Sequence, residues 1–324
     1  MSLNNKPRAI GYLLAAIAFA TSQDAIVKAM SGGYPTWEAV AFRGAAAIPP
    51  FLIWGAVARL NLFVLPAAWK LILLRSVILF SAYMAFALSI ATLPLANAVA
   101  IYFTMPFFVG GLAGWALGEY VPRYRWLAIA LGFGGVLISV RPGSESFTPA
   151  ALLSLYSALG YALGQLLSRK VAQTADPLVI ANMQSVLYFA GSLVIGLVVT
   201  GLKLDASAMP SFAALTKPFL WPSTKDLAVM GLMGLFSCLS SVFFVRAYQA
   251  APANFVAPLE YSAMVFAVTY GIVWFGDYPD FYTLLGAGVV IAAGLFMVAM
   301  ERHAFRSSGR AGEEISDSPI ALPD

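Results

Sequence analysis

Tyr102 and Glu260 fall at the same place in two copies of one sequence pattern. A shift of 158 residues superposes them, and also brings Phe86 onto Phe244, Pro94 onto Pro252, Gly118 onto Gly276, Tyr120 onto Tyr278, Tyr124 onto Tyr282 and Leu127 onto Leu285. A phenol can orient a polar ligand group or stack on a flat one, and a carboxylate can hold an amino group or carry a proton. Each stands near a proline. Pro106, four residues after Tyr102, has no N–H to offer the Tyr102 carbonyl, and Pro258 leaves the Asn254 carbonyl in the same position. A weakened helix beside polar groups is how a ligand site is built inside apolar surroundings, where an unpaired polar side chain costs free energy.

Other polar residues lie at comparable depth. Tyr83 and Tyr161, with Tyr102 and Tyr261, are expected to wall an aromatic cavity suited to apolar or cationic ligands, ordinary packing being the alternative. Gln23 coincides with Gln165 at a second shift of 142 residues, which also aligns Ala16 with Ala158, Lys28 with Lys170 and Pro35 with Pro177. Asp24 and Lys28 share one helical face and stand with Arg43 either as a structural ion cluster or as a gate or proton-coupling group. Leu166 and Ser185 replace Asp24 and Arg43 in the second copy, so that cluster is not duplicated. The run Ser237–Ser241, SCLSS, faces either the cavity or a closely packed helix. The expected binding set is Tyr83, Tyr102, Tyr161, Gln165, Glu260 and Tyr261, with Asp24, Arg43 and Glu260 as coupling or gate groups and Pro106 and Pro258 as bends.

The elements that position these residues must live in a bilayer. Residues are 60% hydrophobic and 10% charged, with a mean hydropathy of +0.82, which excludes a soluble globular surface. Ten apolar runs are long enough to cross a hydrocarbon core of roughly 30 Å as helices of about 20 residues. They cover 10–30, 37–58, 69–91, 94–116, 124–141, 148–168, 178–200, 225–247, 252–275 and 281–300. Period-two alternation is absent, so helices rather than a barrel satisfy the backbone. With the N-terminus inside, 13 basic residues fall at inner ends and 5 at outer ends, which places both termini in the cytoplasm. The polar tail, 303–324, is expected to be disordered. Glycines in "LGEYVPRY" and "FGDYPDFY" read as helix stops, and small-residue runs at Gly132 and Gly286 as close packing in the fifth and tenth spans.

Five spans precede the loop Arg141–Pro149 and five follow it, so the second copy enters the membrane from the opposite face. The expected units are residues 1–145 and 146–302, two inverted five-helix repeats around a central cavity in an all-α membrane protein. From Pro106 to Ile138, "PFFVGGLAGWALGEYVPRYRWLAIALGFGGVLI" resembles the EamA module of the drug/metabolite transporter superfamily. In the second copy Asp277 replaces the glutamate and Met264 the expected proline. The resemblance implies a ten-helix, alternating-access carrier whose spans one, three, four, six, eight and nine surround the cavity.

The favoured expectation is an exporter of small metabolites, most similar to exporters of amino acids including aromatic ones, in the bacterial inner membrane. An importer of a vitamin-like or nucleoside-like planar metabolite is the runner-up. A membrane-embedded enzyme is disfavoured, because the one histidine, His303, lies in the tail and Cys238 is the one cysteine. A structural membrane protein is the third reading. No cofactor, metal or nucleic-acid partner is expected; the expected partners are a small-molecule substrate, favoured as an amino acid, and the lipid bilayer, with the chain a monomer.

Overall fold

A computed structural model of the protein describes residues 6–62, 65–117, 122–141, 148–171, 175–204, 210–251 and 256–316. The described residues are helical with short connections. The first half holds α1 (Lys6–Ser31), α2 (Thr36–Val57), α3 (Trp69–Ile90), α4 (Leu95–Tyr102), α5 (Met105–Leu117) and α6 (Arg123–Val140). The second holds α7 (Pro149–Val171), α8 (Pro177–Gly201), a short α9 (Pro210–Thr216), α10 (Thr224–Ala250), a 3-10 segment (Ala257–Ser262), α11 (Ala263–Tyr270), a π turn (Gly271–Phe275) and α12 (Phe281–Ser316). The starts follow local chemistry. Asp176 accepts the Leu178 N–H with Pro177 at the first helical position, and Ser223 accepts the Asp226 N–H.

Eight of these helices are long and apolar enough to cross a membrane on their own. The other two crossings are broken, and they are the fourth and ninth. The fourth is interrupted at Phe103 and Thr104, between α4 and α5. Pro106 has no N–H to give the Tyr102 carbonyl, and the Thr104 hydroxyl bonds back to the Ile101 carbonyl at 2.8 Å. The ninth starts as a 3-10 turn around Pro258 and Glu260 and finishes in the π turn, where Gly276 stops it in the left-handed region at φ 66°. Asn254 and Gly118 lie outside the described residues, as do the loop 142–147 and the chain end 317–324.

The helices pair as a two-fold axis in the membrane plane requires. α1 packs on α10 and α3 on α7, which exchanges the first and third spans of each half; α2 packs on α8, the fourth span on the ninth, and α6 on α12. Between α6 and α12 the expected small-residue contact is present. A Cβ on Gly135 would stand 2.8 Å from the Gly286 carbonyl oxygen.

One end of the bundle, called here the Lys28 face, is held by polar contacts between the halves. Lys28 pairs with Asp277 at 3.2 Å, Arg141 pairs with Asp280, and the Tyr34 hydroxyl donates to Asp226 at 2.6 Å. After α9, Lys217 donates to the carbonyls of Ser31 and Gly32, both at 2.7 Å. The tail differs from expectation: α12 continues through 303–316. After Pro279 the next proline is Pro319, and Arg310 and Glu314 stand at helical i,i+4 spacing, so no proline stops the helix sooner.

Candidate substrate-binding site

The end of α4 brings Tyr102 to the centre of an aromatic group contributed by several helices. Its ring meets Tyr161 of α7 edge-on at 5.3 Å and lies 5.6 Å from Phe86 of α3, while its hydroxyl points to the Met105 sulfur at 3.6 Å. Tyr102 ends its helix because of Pro106, so the break and the ring share one cause. Glu260, from the 3-10 segment of the other half, lies within electrostatic reach of Tyr102 and Tyr261, and Asp24 also reaches Tyr102.

A polar chain extends from this group. The Tyr83 hydroxyl donates to Asp24 Oδ1 at 3.3 Å and accepts from Gln23 Nε2 at 3.2 Å. Over the Tyr83 ring lies the Arg43 guanidinium, 4.0 Å from its centroid, and the same guanidinium is 5.0 Å from Tyr188. Beyond Arg43 a cavity of about 80 Å³ opens between α2, α8 and α10. Faces of tyrosine, two carboxylates and one guanidinium can together hold a flat ring, a cation and an anion.

Several expected residues behave differently. Lys28 does not pair with Asp24; it reaches Asp277 and the carbonyls of Leu93 at 2.6 Å and Ile90 at 3.3 Å. No ion pair joins Asp24 to Arg43 among the described residues, although each lies in the other's field. Tyr261 packs its ring at 5.1 Å from Phe103, with its hydroxyl over Gly294. Gln165 is exposed, one turn past Tyr161 on the same helical face, and is not in the polar chain that Gln23 joins. The SCLSS run divides: Ser237 and Ser241 line the cavity, while Cys238 is buried against Ala47, Phe51 and Val179.

Sequence reasoning missed Tyr188. Its hydroxyl donates to the Leu79 carbonyl at 3.0 Å and accepts from Gln184 at 3.3 Å, and Gln184 in turn accepts from Arg75 at 2.9 Å. The i,i+4 spacing of Gln184 and Tyr188 inside an apolar span was the available signal.

The sequence pattern of the EamA-like transporter family matches twice, over residues 7–141 and 148–300. The chain belongs to that family. A solved crystal structure shares the fold at a TM-score of 0.62 and 14% identity, covering 93% of this chain and 99% of that one. Among curated relatives, an S-adenosylmethionine uptake transporter of Rickettsia conorii is 24% identical over 91% of this chain and 94% of its own length. A riboflavin transporter of Rhizobium johnstonii is 31% identical over 65% of this chain and 64% of its own length. The pseudopaline exporter of Pseudomonas aeruginosa is 27% identical over 87% and 94%. These EamA-like relatives do not single out amino-acid export, which the sequence reading had favoured. The protein is a multi-pass membrane protein of a transporter family.

Proposed function

We propose that this EamA-like protein is a secondary carrier that takes up a flat, ring-bearing polar metabolite, such as a nucleoside derivative or a flavin, across the bacterial inner membrane by alternating access. The observation that carries the reading is the Tyr102 ring at the break of the fourth span, edge-on to Tyr161 at 5.3 Å and in the field of Glu260 and Asp24. Aromatic walls stack a ring, and carboxylates within electrostatic reach of them favour a ligand that is cationic or rich in donors. Uptake is preferred to the export expected from sequence because the S-adenosylmethionine relative, matched over 91% of this chain, is an uptake transporter. In this reading the Lys28 face is external and both termini are cytoplasmic, as the distribution of basic residues supports. The two halves rock about the central site, and the broken spans bend as they do so.

The experiment is flux into proteoliposomes with radiolabelled S-adenosylmethionine and riboflavin. Uptake of either, lowered at least tenfold by Tyr102→Ala and by Glu260→Gln, supports the site. Wild-type vesicles that move neither compound, nor purines or amino acids in competition, overturn the carrier reading.

A further inference from the structure

We infer that the cavity beside Arg43 binds the carboxylate of the transported molecule, so that the substrate is a ring-bearing acid or amino acid rather than a ring alone. The inference deepens the carrier reading and rests on it. Arg43 is held mid-span by two rings, with its guanidinium 4.0 Å from the centroid of Tyr83 and 5.0 Å from that of Tyr188. Such stacking satisfies the faces of a guanidinium and leaves its N–H edges to be satisfied separately. They are poorly satisfied. Nε and Nη1 are shielded from solvent and find no hydrogen-bond acceptor, and Nη2 makes one long contact, 3.4 Å, to the Ser237 hydroxyl. Each orphaned nitrogen shares an edge of the guanidinium with Nη2, so two edges remain that could each grip a two-oxygen acceptor. Leaving buried charged donors unmatched costs free energy, and a protein that retains them has a reason outside its own contacts.

The cavity supplies that reason. Arg43 lines it together with Gln184, Ser185, Tyr188, Ser237 and Ser241. Its volume of about 80 Å³ exceeds the roughly 10–15 Å³ of cavity that one water needs, so it admits a group of a few heavy atoms. A carboxylate meets the size, the charge and the two-oxygen geometry of an arginine edge. A phosphate monoester would bring close to two negative charges to a single guanidinium that already has Asp24 in its field, which disfavours it. The repeat adds a further point. Ser185 is the counterpart of Arg43 at the 142-residue shift and lines the same cavity, so the charge sits on one side of a seam whose other side stays neutral. The carboxylate therefore has a single orientation in the site, with its ring directed past Tyr83 toward Tyr102.

The test uses purified full-length protein and matched pairs of ligands that differ only in the carboxylate: S-adenosylmethionine against its decarboxylated form, and tryptophan against tryptamine. Riboflavin serves as a ring without the acid. Binding is read by thermal shift and by displacement of labelled ligand. We expect the carboxylated member of at least one pair to bind tenfold or more tightly, Arg43→Gln to abolish that difference, and Arg43→Lys to recover part of it. The wild-type comparison needs no variant and so survives a misfolded one. If rings bind but the carboxylate makes no difference in any pair, the Arg43 inference fails while the carrier reading stands. If none of the compounds binds or moves, both fail.

Discussion

Lys28 passes over Asp24, one turn away on its own helix, and takes Asp277 in the other half together with two main-chain carbonyls. Asp277 with the open carbonyls at the end of α3 offers the ammonium three acceptors together, which the single carboxylate of Asp24 does not match. No spacing rule in the sequence announces a partner some 250 residues away, whereas Tyr102, Asp24 and Arg43 were legible because polar groups at membrane depth are rare. Tyr188 was overlooked because a mid-span tyrosine with a satisfied hydroxyl looks like packing. Outside the spans, burial pushes the Asp280 carboxyl up, but hydrogen bonding from Thr283 and the pairing with Arg141 outweigh it and hold the carboxyl below 3.8. A carboxyl held low contributes stability that is present above the unfolded value and lost as pH falls through the folded one. The thermal midpoint should therefore carry no contribution from this pair to pH dependence between about pH 8 and 5 and should drop below about pH 4. Asp280→Asn should lower the midpoint at pH 7 and remove that acid component.

Pro106 is a sequence feature whose structural effect was readable, although the interruption itself falls at Phe103 and Thr104, just ahead of it. The ninth span, by contrast, combines a 3-10 start with a π turn at its end, a form that periodicity cannot distinguish from one continuous helix. Restoring the missing donor with Pro106→Ala should rejoin α4 and α5; the expected result is turnover slowed several-fold with substrate affinity changed by less than about twofold, measured as flux against equilibrium binding. The packed seam behind it makes a different prediction. Gly135→Leu would drive a side chain into the Gly286 backbone, and overpacking of this kind costs about 1–3 kcal/mol, seen as a lower unfolding midpoint in detergent. Short α9 escaped sequence reading because seven residues are too few to show a period. Helix through 303–316 escaped it because a polar composition without an apolar face was read as disorder.

For the molecule as a whole, the exchange of first and third spans between halves, with second, fourth and fifth spans pairing like with like, follows from the inverted copies that the two shifts revealed. What those copies could not reveal is which end is closed. The contacts Lys28–Asp277, Arg141–Asp280 and Tyr34–Asp226 all join the halves at one face, so in the proposed carrier they would tie one access route shut. Lys28→Asp alone should raise the reactivity of cysteines introduced on that face toward an impermeant thiol reagent, and the paired exchange Lys28→Asp with Asp277→Lys should restore protection. Such introduced cysteines must be read against one background residue, Cys238, which is 2% exposed among Ala47, Phe51 and Val179 and adjoins Ser237 of the cavity wall. Because it is the chain's single cysteine, the unaltered protein carries its own clock. The rate at which a small maleimide labels it measures how often α2, α8 and α10 part, and slowing of that rate by a bound ligand gives occupancy without an engineered reporter.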